Sequence, residues 1–191
     1  MSTDLLKNLP DLQTPRLLLR KLRMEDAADM FEYAQDAEIG ASGLWLPYTE
    51  LQQSADDIAE TIRAYEACKA LDWAVEHRAD RKMIGRINLG HYHRGDQRAD
   101  LGYAYNRRYW GQGYATEAAR AVIDFAFGSL GLNRVGAVVL PDNIDYGLDS
   151  VGLPARGGAA AVHPDSWSSG RPAVFFAPAG GVATITAKDA N

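Results

Sequence analysis

Cysteine is nearly absent from this chain of 191 residues, because Cys68 is the only one and no internal disulfide can form. Cys68 continues a helical pattern with Ile58, Ile62 and Tyr65, which predicts a thiol in the core and not a nucleophile. No run approaches the roughly 18 apolar residues of a membrane span, and the N-terminus lacks a basic segment followed by an apolar one. We therefore expect a cytoplasmic protein without a membrane segment.

Basic residues are fewer than acidic residues. Twenty Lys and Arg residues face 25 Asp and Glu residues, which gives a formal net charge of −5. This balance argues against a nonspecific nucleic-acid surface and favours a cationic substrate such as an amine. The 47% of hydrophobic and 24% of charged residues are typical of a globular protein, and the length suits one domain.

The first three quarters of the chain alternate between strand and helix patterns. Short apolar runs predict strands at 17–22, 72–76, 83–89, 99–105 and 135–140. Apolar residues at helical spacing predict helices at 25–36, from an N-cap at Ser54 to about Leu71, and at 116–127, with a loop at 40–48. The predicted order is strand, two helices, three strands in an antiparallel meander, helix, strand.

The most informative segment is Arg-Tyr-Trp-Gly-Gln-Gly-Tyr-Ala-Thr-Glu-Ala at 108–118, which places a glycine turn between a strand and a helix. Gly111 and Gly113 can adopt backbone angles closed to residues with a Cβ atom. The turn can then aim several N–H groups at one point beside the helix N-terminus, which predicts a phosphate site. A Rossmann site fits poorly, because the third glycine of its motif would fall at Thr116.

Arg108-x-x-Gly111-x-Gly113 fits the R/Q-x-x-G-x-G/A signature of the GNAT N-acetyltransferases, and the extended segment resembles their RimJ/RimL branch. The resemblance implies an α+β fold with a mixed, mainly antiparallel sheet flanked by helices. It also implies acetyl transfer from acetyl-CoA to a primary amine, by direct attack and without a metal. In this branch the acceptor is the α-amine of a protein N-terminus, such as that of a ribosomal protein. Polyamines and other small amines are the alternatives.

The resemblance also assigns cofactor-binding residues. The end of the strand would offer backbone groups to the pantetheine arm, and the turn would hold the pyrophosphate through its N–H groups and a threonine hydroxyl. Two arginines would add positive charge, although exposed arginines are often merely solvated. These assignments concern Tyr105, Asn106, Arg107, Arg108, Gly111, Gln112, Gly113, Tyr114, Ala115 and Thr116.

Two residues are candidates for catalysis by the same resemblance. Asp100, on the strand before the turn, is the candidate base, or else a surface residue paired with Arg98. Asn143 matches the asparagine of the family's Asn-x-x-Ser, or else caps a strand or turn.

Two further groups of side chains have competing interpretations. Trp45, Pro47 and Tyr48 could shape an acceptor pocket or anchor a buried loop. His91 and His93 share a strand face, but no third ligand is nearby, so no metal site is predicted.

The resemblance covers residues 14–143 and ends at an abrupt change of composition. From residue 144 to 191 there is no glutamate, one lysine and two leucines, so no amphipathic helix is evident. Codons for this tail can be chosen so that a one-nucleotide shift reads Arg-Leu-Gly-Phe-Gln-Leu-Glu-Gly, which resembles the missing family text. We therefore hypothesise a frameshifted, disordered tail, against the simpler interpretation of a polar linker. The domain at 14–143 would then be incomplete, with an uncovered sheet edge, and could be an acetyl-CoA-binding remnant without activity.

Overall fold

The computed structural model describes residues 3–41, 46–138, 161–162 and 173–176. Its helices are α1 (Thr3–Lys7), α2 (Ala27–Ala34), α3 (Ala37–Ala41), α4 (Leu51–Glu66) and α5 (Tyr114–Gly128), with 3-10 turns at Met24–Asp26 and Arg107–Tyr109. Its strands are β1 (Leu12–Gln13), β2 (Leu17–Arg20), β3 (Asp72–His77), β4 (Lys82–His93), β5 (Arg98–Tyr105), β6 (Arg134–Val138), β7 (Ala161–Val162) and β8 (Ala173–Phe176).

All described strands form one mixed sheet in the order β1-β2-β3-β4-β5-β6-β8-β7. The pairings are antiparallel except that of β5 with β6, which are parallel and connected through α5. A parallel pair requires such a crossover, whereas the β3-β4-β5 meander needs only short turns. The α+β class and the predicted order of the main elements are confirmed.

The sheet opens between its two parallel strands. Strand β5 pairs with β6 from Arg98↔Arg134 to Asp100↔Gly136 and no further, although β5 continues to Tyr105. Among the described residues the two strands do not pair beyond Asp100, although both continue, which leaves a wedge between them on the side of the glycine turn. The second half of β5 thus has backbone groups on an edge that β6 does not cover.

The two faces of the sheet are covered by different helices. On one face Trp73 meets Phe125 of α5 edge-on, with ring centroids 5.6 Å apart. Val122 on the same helix is fully buried, and burying such a side chain contributes about 1.5–3 kcal/mol. On the other face Arg86 of β4 bonds to Asp57 of α4. The alternation of side chains along β3 and β4 therefore separates an apolar layer from a polar one.

Several element boundaries differ from the sequence prediction, and helix α4 ends at Glu66 instead of at about Leu71. Helix α4 begins at Leu51, so the predicted N-cap at Ser54 is wrong. The Gln53 side-chain oxygen accepts from the Glu50 N–H at 3.0 Å, which satisfies the helix start one turn earlier, and Ser54 is buried inside the helix. Helix α3 includes residues 40 and 41, so the predicted loop start at 40 is also wrong.

Two short stretches of the predicted non-family tail are described, and both are strands. β8 runs antiparallel to β6, with Val135 opposite Phe176, and β7 adds to β8. The edge of β6 that the sequence left uncovered is therefore paired in this structure. Asn143 and Trp45 lie outside the described residues. The domain division at 143/144 and the frameshift stay predictions.

Candidate active site

The glycine turn has the backbone geometry that its sequence predicts. Gly111 has φ +70°, and Gly113 has φ +76° and is the N-cap of α5. Both angles lie in the left-handed region that residues with a Cβ atom avoid. A Cβ on Gly111 would meet nothing within 4 Å, so backbone conformation and not crowding requires glycine there.

The turn presents its backbone to solvent. Gly111, Gln112 and Gly113 are exposed, and the first helical hydrogen bond runs from Glu117 N–H to Gly113 C=O. The N–H groups of the preceding first turn, at 114–116, have no carbonyl to reach within the helix. With the positive end of the α5 dipole behind them, they form a site suited to an anion.

A residue that the sequence did not single out, Arg16, holds this turn against the rest of the domain. Its Nε lies 2.6 Å from Glu117 Oε2, its Nη1 donates to the Gln112 carbonyl at 2.9 Å, and its guanidinium covers the Tyr114 ring. Burial alone would raise the pKa of Glu117, but hydrogen bonds from Thr14 and Arg16 outweigh it and leave the pKa below its ordinary value.

An aromatic cluster supports the other side of the turn. Tyr114 Oη lies 3.1 Å from His77 Nε2, and His77 Nδ1 lies 2.8 Å from Asp80. Tyr109 donates to the same Asp80 carboxylate at 2.8 Å. Tyr114, predicted to bind the cofactor, therefore has a buried side chain that fixes the helix start, while its backbone stays at the turn.

Tyr105 and Asn106 already use part of their backbone within the protein. The Tyr105 carbonyl accepts from the Trp110 indole at 2.8 Å, and the Asn106 N–H donates to Ile84 at 2.8 Å. The buried Asn106 side chain accepts from Arg108 N–H at 3.1 Å and so shapes the turn. Their predicted contacts with the pantetheine arm stay predictions.

The two arginines before the turn lie against α2 and α3. Arg107 Nη2 is 2.8 Å from Glu38, and Arg108 Nη1 is 3.0 Å from Glu32. Arg108 is nevertheless 79% exposed, so its guanidinium reaches solvent while one nitrogen pairs with α2. Such exposed pairs contribute little to stability, so the charge is available at small cost.

A cavity of about 490 Å³ lies on the polar face of the sheet, between α2, α4 and the strands β4 and β5. Tyr48 contributes to its wall, as the sequence suggested for this loop. The charged or titratable side chains at its wall are Tyr33, Tyr48, Asp57, Arg86, His91, Asp100 and Tyr103.

Part of the cavity wall is a hydrogen-bonded charge network. Asp57 accepts from Tyr48 Oη at 2.8 Å and from Arg86 Nη1 at 2.7 Å. Arg86 also pairs with Asp72 through two bonds of 2.8 and 2.7 Å. Burial raises the pKa of Asp72, and Arg86 opposes that shift. Burial and the bond to Asp57 raise the pKa of Tyr48 to about 12, so its hydroxyl is neutral and donates.

Tyr33 is the one cavity-lining phenol whose buried hydroxyl has no hydrogen-bond partner among the described residues. Its side chain is 2% exposed, and burial raises its pKa. An unpaired buried hydroxyl costs about 1–3 kcal/mol. A ligand in the cavity that bonded to it would remove this cost.

Asp100 lies at the cavity wall and at the point where β5 leaves β6. Its Oδ2 is 3.0 Å from His91 Nδ1. The predicted alternative, a pair with Arg98, does not form, because Arg98 lies 3.3 Å from Asp96 instead. A bulge between Gly90 and His93 breaks the β4–β5 register, and the two imidazoles have different partners, since His91 contacts Asp100 and His93 contacts Asp96.

The described part of the chain offers neither a cluster of metal ligands nor a membrane-spanning helix. No group of three or more His, Cys, Asp or Glu side chains there could hold a metal ion. No described helix is both long and apolar enough to cross a bilayer.

Comparison with known proteins identifies the family of this chain. The model of the acetyltransferase (GNAT) domain family matches residues 16–146, which include the wedge, the turn and the cavity walls. The chain belongs to the GNAT family. The uncharacterized N-acetyltransferase p20 of Bacillus licheniformis is 33% identical over 132 residues, which are 69% of this chain and 74% of that protein. The resemblance to GNAT acetyltransferases is confirmed, and the chain is an acetyltransferase by family.

Solved structures show the same fold. The microcin C7 self-immunity acetyltransferase MccE, in complex with acetyl-CoA and AMP, has a TM-score of 0.69 and 15% identity, covering 86% of this chain and 93% of its own. The ribosomal-protein-S5-alanine acetyltransferase of Vibrio fischeri has a TM-score of 0.65 and 17% identity, covering 88% and 96%. At these identities the likeness concerns the GNAT fold alone.

Several residues of the site were not predicted from the sequence. Arg16, Tyr33, Asp57 and Arg86 come from four separate parts of the chain that only the tertiary fold brings together. The sequence relates His91 only to His93 and gives no sign of its contact with Asp100. A lone arginine or tyrosine carries no local signal, whereas the glycine turn does.

Proposed function

We propose that this GNAT protein transfers the acetyl group of acetyl-CoA to the α-amine of a protein N-terminus. The observation that carries the proposal is a spatial one. An anion site at the start of α5, a wedge in the sheet and an acidic cavity follow one another from Arg108 to Asp100. A cofactor with a pyrophosphate, a long arm and a reactive end fits that sequence of features.

The described residues suit acetyl-CoA. The exposed backbone of Gly111–Gly113 and the first turn of α5 would hold the pyrophosphate, with Arg108 adding charge. The uncovered edge of β5 after Asp100 would bond to the amides of the arm. The thioester would then lie close to Asp100, at the apex of the wedge. Thr116 at the turn would add its hydroxyl.

The reaction at that point is simple. The acceptor ammonium loses a proton, its nitrogen attacks the thioester carbon, the C–N bond forms and the C–S bond breaks, and the thiolate takes up a proton. In this proposal Asp100, at the cavity wall, would lie close to the acceptor ammonium as it loses that proton. Backbone N–H groups near the wedge would bond to the carbonyl oxygen as negative charge develops on it. We assign Asn143 a supporting role with the cofactor or acceptor.

The cavity charge favours a cationic acceptor. At the cavity wall, Asp57 and Asp100 carry two negative charges against the one positive charge of Arg86. An ammonium group would reduce this excess, whereas a carboxylate would increase it. About 490 Å³ accommodates the first residues of a peptide, and the unpaired Tyr33 hydroxyl could donate to a peptide carbonyl. The reaction is proposed for the cytoplasm.

The experiment is an acceptor screen with the full chain. Release of coenzyme A thiol is followed with acetyl-CoA and heptapeptides that begin with Ala, Ser or Met, with the same peptides blocked at their N-termini, and with spermidine. Turnover of free peptides alone supports the proposal. Turnover of spermidine alone makes the protein a small-amine acetyltransferase, and saturable acetyl-CoA binding without turnover makes it a remnant.

A further inference from the structure

We propose that His91 is the catalytic base of this acetyl transfer and that Asp100 positions its imidazole. The inference rests on the proposed acetyl transfer and names the group that takes the acceptor's proton. His91 and Asp100 both line the cavity, and their side chains meet at 3.0 Å between Nδ1 and Oδ2.

The backbone at His91 has an unusual conformation that aims its side chain. A bulge lies between Gly90 and His93, and His91 has φ +48°, in the left-handed region that non-glycine residues seldom adopt. Bulges of this kind redirect a side chain and are common beside active sites. Gly90 is the residue paired with Asp100, and in an unbroken strand the next residue, His91, would point to the opposite face of the sheet. The contact between His91 and Asp100 therefore depends on the bulge.

The contact determines which nitrogen can accept a proton. A carboxylate oxygen only accepts hydrogen bonds, so the neutral imidazole places its proton on Nδ1 and donates it to Asp100. Nε2 then keeps a free lone pair. An imidazole is also a better-matched base for an ammonium near neutral pH than a carboxylate.

The other titratable groups at the cavity wall do not suit this role. Asp57 is already bonded to both Arg86 and Tyr48. The phenols of Tyr33 and Tyr48 have raised pKa values, so each holds its proton near neutral pH. Tyr103 packs against the ring of Tyr105, and Arg86 is permanently charged.

The proton path is short and balanced. The acceptor ammonium gives one proton to His91 Nε2, and the resulting imidazolium keeps its Nδ1–H bond to the Asp100 carboxylate, which stabilises the charge. The freed amine nitrogen attacks the thioester carbon. The His91 side chain is 88% exposed, so the imidazolium can pass its proton to water before the next turnover.

The chain contains a matched control pair two residues away. His93 lies 3.3 Å from Asp96 in the β4–β5 turn, both are more than half exposed, and neither lines the cavity. The test compares His91→Asn and Asp100→Asn with His93→Asn and Asp96→Asn. Asparagine tolerates the left-handed conformation of residue 91, cannot act as a base, and keeps the site polar.

The kinetic test measures kcat/KM against pH with the best acceptor from the peptide and spermidine panel. In the unaltered protein kcat/KM should rise with pH across the near-neutral range in which imidazoles titrate. His91→Asn should remove that rise and lower kcat/KM by about 100-fold near neutral pH. Asp100→Asn should lower kcat/KM by about 10-fold. Neither substitution should change the Kd of acetyl-CoA. The control variants should keep both rate and profile.

The outcomes separate this inference from the proposed function. Unaltered rate and pH profile in His91→Asn, with normal turnover by the unaltered protein, overturn the role of His91 alone. A uniform rate loss that leaves the near-neutral rise intact also overturns it, because that is the sign of a structural role. Absence of turnover by the unaltered protein and by both controls overturns the acetyl transfer itself.

A second measurement does not depend on turnover. A two-bond 1H–15N correlation spectrum of the full chain, with the His91 signals assigned by His91→Asn, reports the tautomer. The proton of neutral His91 should reside on Nδ1, and Asp100→Asn should abolish that preference. A proton on Nε2 in the unaltered protein would overturn the inference.

Discussion

Arg16 and Glu117 form an ion pair, with Nε 2.6 Å from Oε2, that joins the start of β2 to the first turn of α5. The other carboxylate oxygen accepts from the Arg16 N–H at 2.9 Å. One acidic side chain therefore fixes the helix whose N-terminus forms the anion site. Its position in the first helical turn also complements the helix dipole.

Glu117→Gln should destabilise the protein in a pH-dependent way. The folded-state pKa of Glu117 is lowered, so its contribution is complete above the unfolded carboxyl value of about 4.3 and is lost as pH falls through the folded value. The free energies of unfolding of the two proteins should differ near neutral pH by roughly 1 kcal/mol or less, because Arg16 is partly exposed. Their melting midpoints should therefore differ near neutral pH and converge in acid. Glu60→Gln, on the exposed side of α4, should show no such convergence.

Gly113→Ala should weaken the anion site. A left-handed alanine costs about 1–2 kcal/mol, and relief of that strain would rotate the first N–H groups of α5. We expect a lower melting midpoint and weaker acetyl-CoA binding by calorimetry. Gly128→Ala is the matched control, since Gly128 is the last residue of the same helix and an added Cβ there would meet nothing within 4 Å. It should leave binding unchanged, and equal effects of the two substitutions would count against the turn geometry.

Tyr33→Phe should separate stability from acceptor binding. Removing an unpaired buried hydroxyl should leave the melting midpoint unchanged or raise it, and the acceptor KM should rise if the acceptor bonds to that hydroxyl. Tyr65→Phe should behave in the opposite way. Its hydroxyl donates to the Asp72 carbonyl at 2.7 Å, so its loss should cost about 1 kcal/mol and leave the KM alone. An unchanged KM in Tyr33→Phe would contradict the assigned contact.

Arg86→Ala should be strongly destabilising, by about 3–5 kcal/mol, because it leaves the buried Asp72 carboxylate without its partner. Burial raises the folded pKa of Asp72, so the ionised carboxylate opposes folding above that pKa. The loss should therefore be largest near neutral pH and shrink as pH falls through the folded value. Urea unfolding should show partial recovery in Arg86→Ala with Asp72→Asn, and no recovery would contradict the buried-charge explanation.

The sequence predicted the parts of the site that are local in the chain. The glycine turn, the strand before it and the helix after it have short-range signals, and all three lie where the motif requires. Ser54 matches the N-cap preference, but the N-cap of α4 is Glu50, whose N–H bonds to the Gln53 side chain. The contact of His91 with Asp100 depends on a bulge in the β4–β5 register, which alternation along one strand cannot reveal.

The long-range contacts of the site were less predictable for a related reason. Arg16 and Glu117 are separated by 101 residues, and Arg86 and Asp57 by 29. Charged side chains at such separations give no periodic signal, because the free energy that selects their partners arises only when the sheet and helices pack.

The most direct test of the account is the thermal unfolding of the full chain with and without millimolar acetyl-CoA. A ligand that binds only the folded state raises the free energy of unfolding, by about 2.7 kcal/mol when its concentration is one hundred times its Kd. The melting midpoint rises with it. We predict one cooperative transition, shifted upward by acetyl-CoA in the unaltered protein and shifted less in Gly113→Ala. A cooperative transition that acetyl-CoA does not move would contradict the assignment of the glycine turn as a working cofactor site.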